Sequence, residues 1–338
     1  MKSILSRFLA LTISLFSFSA CQSSGDGEGK SAVERLFQNT TLPSANGGIL
    51  DILVVAEDKV WNGTAGRAFQ SHFTAMTYGL PQPEPLYTVR QVNPREFSEL
   101  LQRTRYVVSL AVDDSAYYQV QKDLWARGQL VAFFQAEDEL ALRKMILKNN
   151  SALEDLIANR EAERLTKKLK PLSLKEYPEF FEKHNLKLDI PRDFTISVAE
   201  EDLVVYWKST TRSDNGIIIY VGELPEDEAI IGNNIIPLRD SLTKLYVPGS
   251  REGSYMVVED LIKPQINATE FQGRFALETR GLWRTVGDLM GGPFVSFTIY
   301  DEKNGRLIYI DTFMLAPDKK KRKSLFELES LIRTLDLD

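Results

Sequence analysis

The chain has one cysteine and two histidines in 338 residues. These scarcities remove several chemistries at once. With only His72 and His184, a histidine-rich metal site is excluded. A Ser-His-Asp triad would need one of the two, and neither lies near a GxSxG elbow. A single thiol, Cys21, excludes an internal disulfide framework. No GxxxxGK[ST] loop is present, and no GxGxxG follows a strand pattern, so the usual phosphate cradles are missing. No cofactor and no metal are expected. Positive charge is also in deficit: the formal net charge is −6, which disfavours nucleic acid, since a phosphate backbone needs a basic face. Carboxylates are plentiful at 47, so a carboxylate-pair hydrolase stays open, although no particular pair stands out.

What is present begins with an address. Lys2 and Arg7 precede an apolar run over residues 8–18, and Ser19-Ala20 are small. A charged start, a short apolar centre and small residues at a cut site make a secretory signal peptide over residues 1–20. The run is too short for a membrane span, which takes about 20 apolar residues. Phe18-Ser19-Ala20-Cys21 resembles a bacterial lipobox, with Phe18 where leucine is usual. That resemblance makes Cys21 the first mature residue and the carrier of acyl chains, palmitate among them. Several buried chains at about 0.8 kcal/mol per CH2 hold a protein permanently at a membrane. The expected partner is therefore a membrane, through lipid. Removing Lys2 and Arg7 takes the charge from −6 to −8. Residues 21–45 then form a tether rich in Gly, Ser and acids, which cannot bury a core. Asp26 and Glu28 are separated by glycines, a poor match to acidic cell-surface signals, so the periplasmic face of an outer membrane is favoured.

Residues 46–171 read as an α/β domain. Buried-strand patterns at 48–56, 86–92, 106–112 and 129–135 alternate with helical patterns at 64–76, from Asn93 onward, and from Glu137 to the lysines before Pro171. Asn93-Pro94-Arg95-Glu96 carries an N-cap and a first-position proline. Ser151-Ala152-Leu153-Glu154 is a capping-box pattern that would split the long helix in two. Pro81, Pro83 and Pro85 make residues 79–85 an extended segment, either a rigid connector or a docking arm.

Residues 172–338 read as an α+β domain, an antiparallel sheet with packed helices. Strand patterns lie at 194–198, 203–207, 217–221, 255–259, 272–283, 294–300 and 306–315; helices are expected at 175–184, 235–245 and 325–335. Asp301 to Gly305 supplies a hairpin turn. The order is loosely similar to the PsbP/Mog1 sandwich, an analogy of fold alone.

Several stretches together resemble one family. They are Trp61-Asn62-Gly63, Gly79-Leu80-Pro81-Gln82-Pro83-Glu84-Pro85, Asp123-Leu124-Trp125-Ala126, Glu252-Gly253-Ser254-Tyr255-Met256, Arg280-Gly281-Leu282-Trp283-Arg284 and Gly287-Asp288-Leu289-Met290-Gly291-Gly292-Pro293. They resemble DUF4837, a family of uncharacterised lipoproteins of Bacteroidota, over essentially the whole mature chain. The resemblance implies an envelope lipoprotein and brings no catalytic residues with it.

The candidate binding surface is the glycine-rich turn. Alternation puts Arg280, Leu282 and Arg284 on one face of a strand and Trp283 on the other. Trp283, Arg284 and Asp288 would then group at a turn as recognition anchors. The plainer alternative is Trp283 in the core and Arg284 paired with Asp288. Trp61 and Asn62 follow the first strand, at the end of an α/β layer where ligands bind; the alternative is a core indole and a helix cap. Lys319 to Lys323 is either a contact for anionic lipid or a solvated helix end. Ser115 and Ser241 lie in Asp-Ser-Ala and Asp-Ser-Leu, patterns resembling short O-glycosylation motifs of Bacteroidota. The expectation is a non-enzymatic envelope protein that binds another envelope protein or a glycan. The alternative is a carboxylate hydrolase of polysaccharide or peptidoglycan.

Overall fold

The computed structural model describes residues 42–174, 178–225 and 228–337; Cys21, the signal and most of the tether lie outside them. The chain forms two compact units. The first holds the described residues up to Thr74 together with Tyr87–Ile157, and the second holds Ala75–Leu86 and Ala158–Asp338. The expected boundary at Pro171 falls on a 3-10 turn, Lys170–Leu172, whereas the units divide inside the preceding helix.

The first unit is a five-stranded α/β sheet. Its elements are β1 (Asp51–Ala56), α1 (Asp58–Trp61), α2 (Thr64–Phe73), β2 (Thr88–Val92), α3 (Glu99–Gln102), β3 (Tyr106–Val112), β4 (Tyr117–Lys122), β5 (Leu130–Ala136) and the start of α4 (Glu139–Leu169). The strand order is β2-β1-β3-β5-β4. The first four strands in that order are parallel, and β4 closes the edge antiparallel to β5. Strand β1 is central, so nearly every side chain of Asp-Ile-Leu-Val-Val-Ala is buried, as a parallel strand covered on both faces requires.

Two sequence expectations differ here. The Asn93-Pro94 start makes a turn rather than a helix: Arg95 N–H donates to Asn93 Oδ1 at 3.2 Å, and only Glu99–Gln102 turns helical. An Asx turn satisfies the same donors locally. The pattern at Ser151 does not split the long helix, which runs continuously from Glu139 to Leu169.

The second unit is an antiparallel sheet with helices on it. It comprises α5 (Glu179–Lys183), β6 (Thr195–Ala199), β7 (Leu203–Ser209), β8 (Asp214–Glu223), α6 (Glu228–Tyr246), β9 (Tyr255–Val258), β10 (Gln265–Phe271), β11 (Arg274–Val286), β12 (Gly291–Asp301), β13 (Arg306–Leu315) and α7 (Arg322–Ile332). The order is β10-β11-β12-β13-β8-β7-β6, with β9 beside the far half of β11. The strand expected over 272–283 is β11, which begins two residues later and runs on to Val286, and β10 before it was not expected. Gln272 and Gly273, both at positive φ, turn β10 into β11.

Alternation along these strands makes two cores. One face of the sheet (Val295, Ile299, Ile308, Ile310, Ile217, Ile219) packs with Leu325, Leu328, Leu331 and Ile332 of α7. The other (Phe294, Tyr309, Phe313, Ile218, Trp283) packs with Leu242 of α6 and with Met256 and Val258 of β9.

Candidate functional site

The glycine-rich turn and the loop before β9 border a half-open cavity of about 190 Å3 on this second face. Its wall includes Trp207, Val247, Met256, Trp283, Met290 and Phe313, with Asp214, Ser250 and Thr285 as polar members. The aromatic rings touch: Trp283 and Phe313 are 6.2 Å apart, edge to face, and Trp207 and Phe313 are 5.6 Å apart. The register of β11 with β12 sets Trp283 opposite Gly292. A Cβ at Gly292 would sit 2.0 Å from the Met314 carbonyl and 3.2 Å from the indole nitrogen, so only glycine lets the indole lie across the strand. Trp283 is buried, and its Nε1–H has no hydrogen-bond partner among the described residues.

The two loops that frame the cavity are tied together. Ser250 donates from its N–H and its hydroxyl to one Asp288 oxygen, at 2.8 and 2.5 Å. Inside the turn, Thr285 N–H reaches Met290 O at 2.9 Å, and Met290 N–H reaches Thr285 Oγ1 at 3.0 Å. The Ser250 hydroxyl, then the Leu289 and Ser250 N–H groups, hold the Asp288 carboxyl below the usual range. Leu289 stands at the tip of the turn, 95% exposed.

The four residues named around this turn therefore separate. Trp283 is a cavity wall. Asp288 fastens Ser250 and does not pair with Arg284. Arg284 is half exposed and lies 3.8 Å from both Glu259 and Asp260. Arg280 is on the opposite face of the sheet, where its guanidinium grips Glu329 of α7 in a two-pronged pair at 2.8 and 3.1 Å and also meets Glu278. That ion pair clamps α7 to the sheet and leaves Arg280 no free donor face. Burial alone would raise the Glu329 carboxyl; Arg280 and Arg322 outweigh it and bring it down to about 2.

In the first unit, Asn62 is the exposed C-cap of α1, and Trp61 is half-buried. The start of α2 at this crevice is already filled by the chain itself. Glu139 takes the Thr64 hydroxyl at 2.9 Å and the Thr64 N–H, so the anion-binding end of the helix holds its own carboxylate. Ser115 is exposed and its oxygens accept from Gln135; Ser241 is exposed on α6 and donates to Leu238 O at 2.7 Å. His72 pairs with Glu154 at 2.7 Å and His184 with Asp202 at 3.2 Å.

The proline segment Ala75–Leu86 docks within the second unit. Thr77 N–H bonds Glu84 O at 2.8 Å, and Leu80 packs on the α7 core. The Glu84 carboxylate, itself buried, accepts the N–H groups of Lys321 at 2.6 Å and Arg322 at 3.1 Å. The start of α7 is thus capped from more than two hundred residues upstream. Lys321 is buried and donates to Gln82 at 2.9 Å, so the basic run is solvated only at Lys319, Lys320 and Lys323.

Residues 173–334 match the family DUF4837, a domain of unknown function. The expected resemblance over the whole mature chain is corrected: residues 45–170 match a different domain of unknown function, DUF8532. Trp61-Asn62-Gly63 and residues 79–85 thus fall under DUF8532, and the cavity lies wholly under DUF4837. No curated protein matches the chain. Among solved structures it is similar to the Ran-binding protein Mog1p of Saccharomyces cerevisiae, at 11% identity over 45% of this chain and 89% of that one, with a TM-score of 0.31. A mutant of protein Mog1 gives 12% identity over 45% and 90%, with a TM-score of 0.30. Likeness at that level carries no inference about activity or partner.

The DUF4837 region also holds a feature the sequence did not signal. Arg239 of α6 and Asp311 of β13 are both fully buried, with Nε and Oδ2 3.0 Å apart but off the line of a good hydrogen bond. The guanidinium stacks 3.8 Å over the Phe294 ring. Tyr309, Ser296 and Thr298 share that face of the strands, all buried. Burial pushes the Asp311 carboxyl up to about 6, against the pull of Arg239. An arginine on a helix with an aspartate in an apolar strand is the only trace in the sequence, and 47 acids hide it.

Proposed function

We propose that the chain is a lipid-anchored envelope protein that works by binding another envelope component, with the cavity under the glycine-rich turn as its binding site. The cavity carries this reading. It is concave, aromatic and apolar, and its two framing loops are tied before any ligand arrives, so little ordering is left to oppose binding. The lipobox-like Cys21 and the polar tether support the anchor and a periplasm-facing outer-membrane location. The wall contains one carboxylate residue, Asp214, so the cavity gives a two-carboxylate hydrolase no specific support.

Two measurements test this. Cys21→Ala should leave an unprocessed, mislocalised precursor; normal outer-membrane fractionation would end the anchor. Crosslinking in living cells should capture a component with the wild type and lose it with Val247→Phe, which puts a ring into the cavity. Turnover of peptidoglycan or polysaccharide by purified mature protein, abolished by Asp214→Asn, would replace binding with hydrolysis.

A further inference from the structure

We propose that the cavity takes a single tyrosine side chain of a partner protein; this rests on the binding reading above and names the ligand class of the same site. Volume is the first argument. About 190 Å3 is below the roughly 300–1,000 Å3 of sites that enclose a whole small molecule, and above the roughly 150 Å3 that suffices for benzene. The site therefore receives one ring-sized group of something larger. Trp207, Trp283 and Phe313 present ring faces and edges, which suit an aromatic occupant.

The polar groups decide between a sugar ring and a side chain. Ser250 spends its N–H and hydroxyl on Asp288, and Thr285 is spent on Met290. A pyranose would bring several hydroxyls to a wall with little left to answer them, and each unanswered one is penalised. Two groups remain unpaired. The Asp214 carboxylate, half-buried on the wall, forms no hydrogen bond or ion pair among the described residues; the Trp283 Nε1–H, also without a partner, is closed off from the cavity against Gly292. One acceptor in an aromatic wall matches a phenol, whose ring suits the wall and whose hydroxyl donates once. Leu289, fully presented beside Met290, adds an apolar rim of the kind a protein surface covers.

The test is a titration of the mature protein, followed by NMR at the Trp283 indole N–H and the Met290 methyl, with p-cresol, toluene and N-acetylglucosamine. We expect p-cresol to shift both signals at millimolar concentration and to bind about ten-fold more tightly than toluene, the worth of a hydrogen bond to a charged group. Asp214→Ala, at the edge of the cavity, should bring the two affinities together, and Val247→Phe should abolish both. If toluene equals p-cresol in the wild type, the tyrosine assignment falls. If N-acetylglucosamine binds and p-cresol does not, the site is a glycan site: the inference fails while the binding reading stands. If none of the three perturbs either signal, both fail.

Discussion

At the residue scale, a buried charge is tolerated only with its partner. Arg239 and Asp311 are both withdrawn from water, and their geometry is imperfect. Removing one leaves the other uncompensated. Arg239→Met, which takes the counter-charge from the buried Asp311, should therefore cost about 3–5 kcal/mol at pH 7, whereas Arg239→Met with Asp311→Leu should be close to neutral. Urea unfolding midpoints of the single and double variants decide this; a double variant as unstable as the single would show that the pair earns its burial. The same scale explains what alternation along a strand can and cannot tell. It put Trp283 opposite Arg280 and Arg284 because the period of a strand is two. It could not assign partners. Arg280 is answered by Glu329 and Asp288 by Ser250, both distant in sequence, so two expected anchors turn out to be internal fasteners.

At the element scale, α7 begins with Lys321 and Arg322, the wrong sign for a helix N-terminus. Glu84 resolves the conflict by placing a carboxylate on its first N–H groups. Glu84→Ala leaves two buried donors without an acceptor and should cost about 2–4 kcal/mol, while Glu84→Gln, which retains an acceptor, should cost about half as much. Hydrogen exchange should locate the loss in the first turn of α7; an effect spread evenly over the unit would contradict the cap. The proline segment looked like a rigid connector or a docking arm, and its docking place is on its own chain. Strongly apolar elements were legible because burial writes its period into the sequence: β1, β3, β12 and β13 lie where expected. The missed strands, β4 and β10, are polar edges. The residues of β10 are mostly exposed and those of β4 half-buried at best, so neither carries a buried alternating pattern, and ladder pairing alone makes them strands.

At the scale of the whole molecule, the α/β and α+β classes were legible in the order of elements, since parallel strands need helical crossovers and hairpins do not. The cavity was legible only as a cluster of Trp and Gly at one turn; its far walls, Trp207, Val247 and Phe313, come from three other segments. Stability against pH integrates the buried carboxyls, and two of them pull in opposite directions. Glu329 is lowered from 4.5 to about 2, so between those values the unfolded chain holds a proton that the folded protein does not. Its contribution is complete above pH 4.5 and is lost as the pH falls through 2. Asp311 is raised from 3.8 to about 6, so there the folded protein holds the extra proton. Its contribution is complete below pH 3.8 and is lost as the pH rises through 6. At 1.36 kcal/mol per pK unit, each limb amounts to about 3 kcal/mol. These two groups alone would put the stability maximum near pH 4–5, more acid than usual for a protein whose paired carboxylates dominate. Urea unfolding from pH 2 to 8 should show both limbs. Glu329→Gln should flatten the acid limb alone and Asp311→Asn the limb between pH 4 and 6 alone, whatever each does to the absolute midpoint. An unchanged slope between pH 4 and 6 in Asp311→Asn would mean that Arg239 keeps Asp311 ionised throughout, and that the buried pair is a permanent salt bridge.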